Sequence, residues 1–471
     1  MYNVTIGLEI HCELKTNSKV FSTGKNEYND EANVNLSPVD LGFPGVLPVL
    51  NKEAVRKAIL VSCALNSKIS NKTKFDRKNY FYPDLPKGYQ ITQSREPFGT
   101  NGYLMIHVGE KEKKVLIHDL HLEEDTASLD HFNDYSLLNF NRAGVPLIEI
   151  VTEPCLNSSE EAISFLEELR NVIRYTGASD ARSDRGEMRC DVNISLSKDE
   201  TLGTKVEMKN INSFYNVKEA IEYEIKRQSE LLDKGEKILQ ETRRFDSTDK
   251  KTYSMRSKVD SIDYKYFPEP NIPVLEIEEE FINEIKNSLP KLPFERVKEY
   301  IEKYNLSRKD ANTLVKEKEI SDYFEKTISL GCSPKLVSNW ITTKILGYLN
   351  KENIKINEFY LKEEYLHELI SLIENEEITS QQAKEVFDYC LLEKKTPKEI
   401  TKEKNIKASS NNEELQNIVK KVIEENPEVI NDYKNGKERM LDYLVGQVMK
   451  YSKGTANPIK AKEIMLKDLN S

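Results

Sequence analysis

Apolar and polar residues alternate without a break through IGLEIHCEL, residues 6–14. Leu8, Ile10, Cys12 and Leu14 share one side, and Glu9, His11 and Glu13 share the other. A period of two with one apolar side predicts a half-buried β-strand. The same period runs through YLMIHVGEKEKKVLIHDLHL (103–122), which reads as a hairpin turning at Gly109–Lys113. It returns in RCDVNISL (189–196) and TKVEMKNI (204–211), two short strands joined by the polar segment SKDETLG. In SSEEAISFLEELRNVIRYTG (158–177) the period lengthens to that of a helix. Ile163, Leu166, Leu169, Val172 and Ile173 form one stripe between a Ser158 cap and a Gly177 stop. NVKEAIEYEIKRQSELLDKG (216–235) is a second amphipathic helix, closed by Gly235.

Pro290 and Pro293 in SLPKLPFER break this β-rich region, and the pattern is helical from there to the C-terminus. TPKEITKEKNIKASSNNEEL (396–415) carries no clear stripe and marks a second boundary near residue 403. Beyond it, Leu415, Ile418, Val419, Val422 and Ile423 make one stripe, and Met440, Leu441, Leu444, Val445 and Val448 another. ANPIKAKEIM starts a last helix, with Asn457 as N-cap and Pro458 at the first helical position. The expectation is an α+β protein of three regions: β-rich 1–290, helical 291–402 and a small helical tail 403–471.

Composition narrows the class. At 471 residues the chain has length for two or three domains. With 31% charged residues and no apolar run near the roughly 18 residues of a membrane span, we expect no membrane segment. The first strand begins at once, with no basic n-region or h-region before it, so a cytoplasmic protein is expected. Six cysteines without paired spacing fit reduced thiols. The formal net charge of -10 argues against a general nucleic-acid coat, yet from Lys434 onward eight cations stand against four anions. A basic helical end on an acidic body suits either a solvated face or a phosphate backbone.

Familiar chemistry is mostly absent. There is no phosphate loop, no G-x-G-x-x-G and no H-E-x-x-H. His11-Cys12-Glu13 with Pro154-Cys155 imitates a deaminase zinc site, but Ser158 stands where the second cysteine is required. What remains is acids on short strands. Glu123, Glu124 and Asp125 end one strand, with Glu124 in the parity of Leu120 and Leu122. A carboxylate on that apolar side demands a cation or hydrogen bonds. Arg189, Asp191 and Asn193 share a face, as do Lys205, Glu207 and Lys209. If these strands join Glu9 and His11 in one sheet, oxygen-rich ligation with one imidazole suits Mg²⁺ or Mn²⁺. Lys78, Arg189, Arg243, Arg244 and Arg256 would suit phosphate oxygens. The residues alone reach a candidate Mg²⁺–phosphate site on a β-rich domain and stop there.

A longer pattern goes further. IGLEIHCELKTNSKVFS, LGFPGVLPVLNKEAV, KFDRKNYFYPDLPKGYQITQ, LHLEEDTAS and NFNRAGVPLIEIVTEP follow one another in order. MRCDVNISL, KVEMKNINSF, ETRRFD, DYKYFPEPNIP and YLVGQVMKYSKGTANP complete the series. Together they resemble the B subunit of tRNA-dependent amidotransferases over essentially the whole chain. The resemblance implies a β-rich cradle domain, a helical domain and a tail similar to stand-alone YqeY proteins, the last two gripping tRNA. It implies ATP and Mg²⁺, used to phosphorylate the side-chain carboxylate of Glu-tRNA(Gln) or Asp-tRNA(Asn). Ammonia channelled from an amidase, the A subunit, then displaces the phosphate, and a small C subunit holds the pair together as a heterotrimer. A glutamyl- or aspartyl-tRNA synthetase is a further expected partner.

Residue by residue, the resemblance puts the metal on Glu9, His11 and Glu124, with Glu123, Asp191 and Glu207 close by. Glu9, His11, Glu124 and Lys78 become the expected catalytic residues, Lys78 where the ammonia channel opens. Apart from the resemblance, and from their charge alone, Arg189, Lys209 and Arg243 are expected phosphate contacts. Two departures stand out. Many members carry four cysteines as F-C-x-C and C-P-x-C-L-G, where this chain has Ser22, Gly24, Ser37 and Asp40, so no structural zinc is expected. Asn139 in NFNRAG stands where an acid is expected. A binding-only paralogue and a lone Mg²⁺-dependent phosphohydrolase remain the other readings, and the joint presence of Glu9, His11, Glu124, Asp191 and Glu207 favours a working enzyme component.

Overall fold

The protein is described from a computed structural model that covers all residues except 1, 200, 210, 212, 258–262, 409–411, 435, 453–455 and 470–471. The side chains of Arg256 and of residues 257, 412–414 and 459 also lie outside the described residues. The chain divides into two compact units, 1–296 and 297–471.

The first unit is built on a nine-stranded sheet. Its strands are β1 (Asn3–Glu13), β2 (Lys68–Ile69), β3 (Gly99–Val108), β4 (Lys111–Glu124) and β5 (Pro146–Thr152), followed by β6 (Met188–Ser197), β7 (Val206–Lys209), β8 (Glu241–Asp246) and β9 (Lys251–Ser257). Their spatial order is β9-β8-β7-β6-β1-β5-β4-β3-β2. Neighbours are antiparallel except β7 and β8, which run parallel. Parallel neighbours need a crossover, and the helix α3 (Phe214–Asp233) supplies it. The predicted hairpin is β3–β4, paired from Gly99↔Leu120 to Val108↔Lys111.

Alternation gives the sheet two unlike faces. Leu8, Ile10, Leu120, Leu122, Ile148, Ile150, Val192 and Ile194 are buried in one hydrophobic core. The helices α1 (Lys52–Ala64) and α2 (Ser159–Thr176), with α3, pack on this core. As the pattern predicts, the Ser158 side chain accepts a hydrogen bond from the Glu161 amide, and Gly177 ends α2 at φ 67°, a left-handed turn suited to glycine. The other face carries the charges. A small three-stranded sheet of Asp76–Asn79, Tyr89–Thr92 and Phe267–Pro268 stands by the end of β4.

The second unit is helical. One core runs from Val297 to Ile400 and another from Leu415 to Leu469. Leu415, Val419, Val422, Leu441, Leu444 and Val448 are buried in the second, as their stripes predict. The Lys460 amide donates to Asn457 Oδ1 at 3.3 Å, which is the expected cap of the last helix. All six cysteines are free thiols, four of them buried. Among the described residues no helix is long and apolar enough to cross a membrane.

Candidate active site

The charged face is assembled by strand register. Antiparallel pairing sets His121 opposite Glu149, Glu149 opposite His11, and His11 opposite Arg189. Further along, Glu9 faces Asp191 and Asn193 faces Glu207. Side chains directly across a strand pair are neighbours, so residues far apart in sequence meet. They form two triads. The ligating atoms of His11, Glu123 and Glu149 lie within 4.8 Å of one another, as do those of Glu9, Asp191 and Glu207.

The first triad is a nearly buried charge network. Glu149 Oε2 lies 3.3 Å from His11 Nε2 and 3.3 Å from His121 Nε2. His121 Nδ1 is 3.0 Å from Asp119 Oδ1. Glu123, only 3% exposed, accepts a hydrogen bond from Thr92 Oγ1 at 3.0 Å. Burial disfavours charge on His11 and on His121, but Glu149 and Glu123 outweigh it and hold both imidazoles up. Burial acts on Glu149 too, yet His121 and His11 keep its carboxyl well below the usual range. Glu123 goes the other way, raised by burial and by Glu149. Lys78 sits over the Tyr264 ring at 5.0 Å. Burial pulls its ammonium down, while Glu123, Tyr266 and Glu149 more than offset that.

The second triad offers oxygen alone. Asn193 Nδ2 donates to Glu9 Oε1 at 2.8 Å, and Thr242 Oγ1 donates to Glu207 Oε2 at 2.9 Å. Lys209 Nζ bridges Asp191 Oδ2 at 2.6 Å and Glu207 Oε1 at 3.0 Å. Burial lowers that ammonium, but the two carboxylates prevail and hold it up. Asn193 Oδ1 is buried with no hydrogen-bond partner. An orphaned carbonyl oxygen beside three carboxylates is a donor set for a hard cation such as Mg²⁺. The first triad, with a second imidazole in reach, is a mixed nitrogen–oxygen set.

The expected site residues are thus divided rather than joined in one shell. Glu9, Asp191, Glu207 and Lys209 meet at one place, and His11, Glu123 and Lys78 at another. Glu124 is not brought to either. Successive residues of a strand point to opposite faces, so Glu124 turns away from Glu123. There it accepts from Lys87 Nζ at 2.5 Å and from the Ile91 amide at 2.9 Å, the cation and hydrogen bond that its apolar parity demanded. Arg243 is not on this face either. Its neighbour Thr242 binds Glu207, so Arg243 points to the opposite, helix-covered side, toward Glu224 of α3 at 3.2 Å and Glu241 at 2.6 Å. Arg189 remains in place, held by Asp125 Oδ2 at 2.7 Å, with its Nε buried and unpartnered. Burial pushes the neighbouring Glu13 carboxyl up to about 8, with Asp125 adding to the rise.

Sequence reasoning passes over Glu149, His121 and Asp119. Glu149 is the single acid in the apolar run PLIEIVT, and His121 shares parity with Asp119 and Glu123. Those are the available signals. The four positions at which the resemblance would place cysteine, Ser22, Gly24, Ser37 and Asp40, come together. Ser22 Oγ donates to Asp40 Oδ1 at 2.6 Å, and the Ser37 amide donates to Asp40 Oδ2 at 2.8 Å. Lys19 Nζ lies 3.5 Å from Asp40, both side chains buried. Lys19 Nζ also donates to the Phe140 carbonyl at 3.3 Å.

Comparison with known proteins gives a consistent picture. The family model described as the GatB/GatE catalytic domain matches residues 4–283, and that described as the GatB domain matches residues 322–469. The chain is 48% identical to the B subunit of the aspartyl/glutamyl-tRNA(Asn/Gln) amidotransferase of Halalkalibacterium halodurans, covering 100% of this chain and 99% of that one. The same-named proteins of Geobacillus thermodenitrificans and Persephonella marina are 47% and 46% identical, with at least 98% of each chain covered.

Proposed function

Because the chain belongs to the B-subunit family of the aspartyl/glutamyl-tRNA(Asn/Gln) amidotransferases, we propose that its charged sheet face activates and amidates a tRNA-bound carboxylate. The observation that carries this reading is the pair of acid triads with Lys78, Lys209 and Arg189 on one polar face. The γ-phosphoryl group of ATP passes to a side-chain oxygen of Glu-tRNA(Gln) or Asp-tRNA(Asn), leaving ADP. Ammonia then bonds to the acyl carbon and inorganic phosphate departs, giving Gln-tRNA(Gln) or Asn-tRNA(Asn).

The residue types fit this chemistry. A carboxylate lacks a usable leaving group at neutral pH, whereas an acyl phosphate has one. Phosphoryl transfer needs positioning and charge neutralisation more than covalent chemistry from the protein. Glu9, Asp191, Glu207 and the Asn193 carbonyl would hold Mg²⁺, and His11, Glu123 and Glu149 a second divalent ion. Such ions neutralise phosphate charge and orient its oxygens. Lys209 and Arg189 lie beside the acids and suit phosphate oxygens. Lys78 stands where ammonia would arrive.

The partners in this reading are the amidase A subunit, the small C subunit, the misacylated tRNA and, as its source, a glutamyl- or aspartyl-tRNA synthetase, all in the cytoplasm. The chain would work as three regions: a catalytic region of residues 1–290, a helical region of 291–402 and a tRNA-binding tail of 403–471. Of the eight cations from Lys434 onward, Lys437, Lys460 and Lys462 are engaged by Asp432, Glu376 and Asp442. Lys434, Arg439, Lys450 and Lys467 are the better candidates for phosphate contact, and Lys453 lies outside the described residues.

The test is ADP release by the complex co-expressed with its A and C subunits, given labelled ATP, Mg²⁺ and aminoacylated tRNA without glutamine or ammonia. Release that requires Glu-tRNA(Gln) or Asp-tRNA(Asn), followed by amidation once ammonia is added, supports the reading. Release by the lone chain without tRNA would make it a phosphohydrolase. Tight tRNA binding with no release would make it a binding-only paralogue.

A further inference from the structure

The strand β1 leads out of the charged face into a cleft that the scheme above does not use. Glu13, two residues beyond His11 and on the same side, forms part of its floor. The cleft holds about 420 Å³, within the range of small-molecule sites. Tyr28, Arg185, Asn139, Ser128, Arg142 and Glu187 line it. The Arg185 guanidinium stacks on the Tyr28 ring at 4.8 Å. The ring is nevertheless 69% exposed, so its other face stands open.

The walls are fixed in place before any ligand arrives. Asn141 Oδ1 accepts from the Val34 and Asn35 amides at 2.8 and 2.9 Å, and its Nδ2 donates to the Glu31 carbonyl at 2.7 Å. Asn33 donates to the Leu138 carbonyl at 3.1 Å and accepts from the Phe140 amide at 2.7 Å. Asn139 accepts through Oδ1 from the Asn33 and Asn141 amides. Among the described residues its Nδ2 makes no hydrogen bond, which leaves a donor facing the cleft's chemistry.

We propose that this cleft receives an adenosine group. An open aromatic face with a guanidinium behind it is a stacking platform for a base. An unspent amide donor suits a ring nitrogen. Carboxylates such as Glu13 and Glu187 accept from ribose hydroxyls. Glu187 and Asp180 disfavour phosphate here, while Lys15 is taken by Asp180 at 2.8 Å and Arg142 by Asp125 at 3.5 Å. The polar end of the ligand therefore points the other way, along β1. From Glu13 to Glu9 the strand rises about 13 Å, the reach of a nucleotide laid along it toward the triads. The adenosine belongs either to ATP or to the 3′ end of the aminoacylated tRNA, since both present the same group to the same acids.

This inference rests on the amidotransferase reading, so its test must separate the two. Equilibrium binding of labelled ATP and of aminoacylated tRNA is measured on the complex of all three subunits, alongside ADP release. Tyr28→Ala, Arg185→Ala and Tyr28→Phe chains are compared with wild type. The expected result is about a tenfold or greater loss of affinity in Tyr28→Ala, a smaller loss in Arg185→Ala and near-wild-type binding in Tyr28→Phe, which keeps the ring. Loss confined to ATP assigns the adenosine to the nucleotide. Loss confined to tRNA assigns it to the acceptor end. Unchanged affinity for both overturns the inference while leaving wild-type turnover, and with it the amidotransferase reading, untouched. Absence of wild-type turnover defeats that reading, and the binding ratios still decide the cleft.

Discussion

Glu149 and Glu168 show what separates the two sides of the same sheet. Glu149 is nearly buried on the charged face, between His11 and His121, and its carboxyl is held far below the ordinary range. Glu168 sits on α2, the helix packed on the apolar side. Its Oε1 is buried without a partner, and burial pushes its carboxyl up to about 7, opposed by one hydrogen bond from the Phe294 backbone. Two carboxylates withdrawn from water are thus shifted in opposite directions, because only one of them has cations beside it. The apolar face is governed by packing and tolerates an acid by neutralising it. The polar face is governed by paired charge: Glu149, set between two imidazoles, stays ionised, while burial and acidic neighbours raise Glu123 and Glu13 beside it.

Breaking the polar face should produce the largest effect. Glu149→Gln preserves shape but removes the charge that both imidazoles share. We expect tRNA-dependent ADP release per folded complex to fall at least about 100-fold, with tRNA affinity kept within severalfold. Leu122→Ala probes the other side of β4, where the side chain is fully buried in the core. There the expectation reverses: a stability loss of about 2–5 kcal/mol in denaturant unfolding, and turnover per folded molecule within severalfold of wild type. Asp40→Asn tests the buried pair of Lys19 and Asp40. Leaving Lys19 without its carboxylate should destabilise the first unit by about 3 kcal/mol. The double replacement Lys19→Met with Asp40→Leu should recover most of that.

The smallest effect sharpens the comparison most. Since the folded carboxyl of Glu168 titrates above its unfolded value of 4.5, its contribution is fully present below about pH 4.5. It is lost as pH rises through about 7. Glu168→Gln should therefore match wild-type stability near pH 4.5 and exceed it above pH 7 by on the order of 1–3 kcal/mol. A constant difference across that range in thermal unfolding would place the acid in a charged environment instead.

Much of this is legible in the sequence, for identifiable reasons. β1, the β3–β4 hairpin and α2 announce themselves because each buries one side only, so period and caps are visible. β5 does not, because PLIEIVT is apolar on both sides and its burial leaves no alternation to read. Glu149, the centre of the first triad, is hidden with it. Register is the second obstacle. That Glu9 meets Asp191 while His11 meets Glu149 follows from strand pairings that no local pattern encodes. Glu123 and Glu124 look equivalent as a sequence pair, and strand alternation sends them to opposite sides. Arg243 suits phosphate by its charge alone, but the pairing of β8 with β7 turns its side chain toward α3.

The central claim is that the charged face of the sheet, and not the fold around it, carries the activation step. The most direct measurement compares ADP release from wild-type and Glu149→Gln complexes, given Mg²⁺, labelled ATP and Glu-tRNA(Gln), with tRNA affinity measured in the same samples. Loss of release with tRNA affinity kept within severalfold is the predicted result. Release at the wild-type rate, or parallel loss of both, would contradict it.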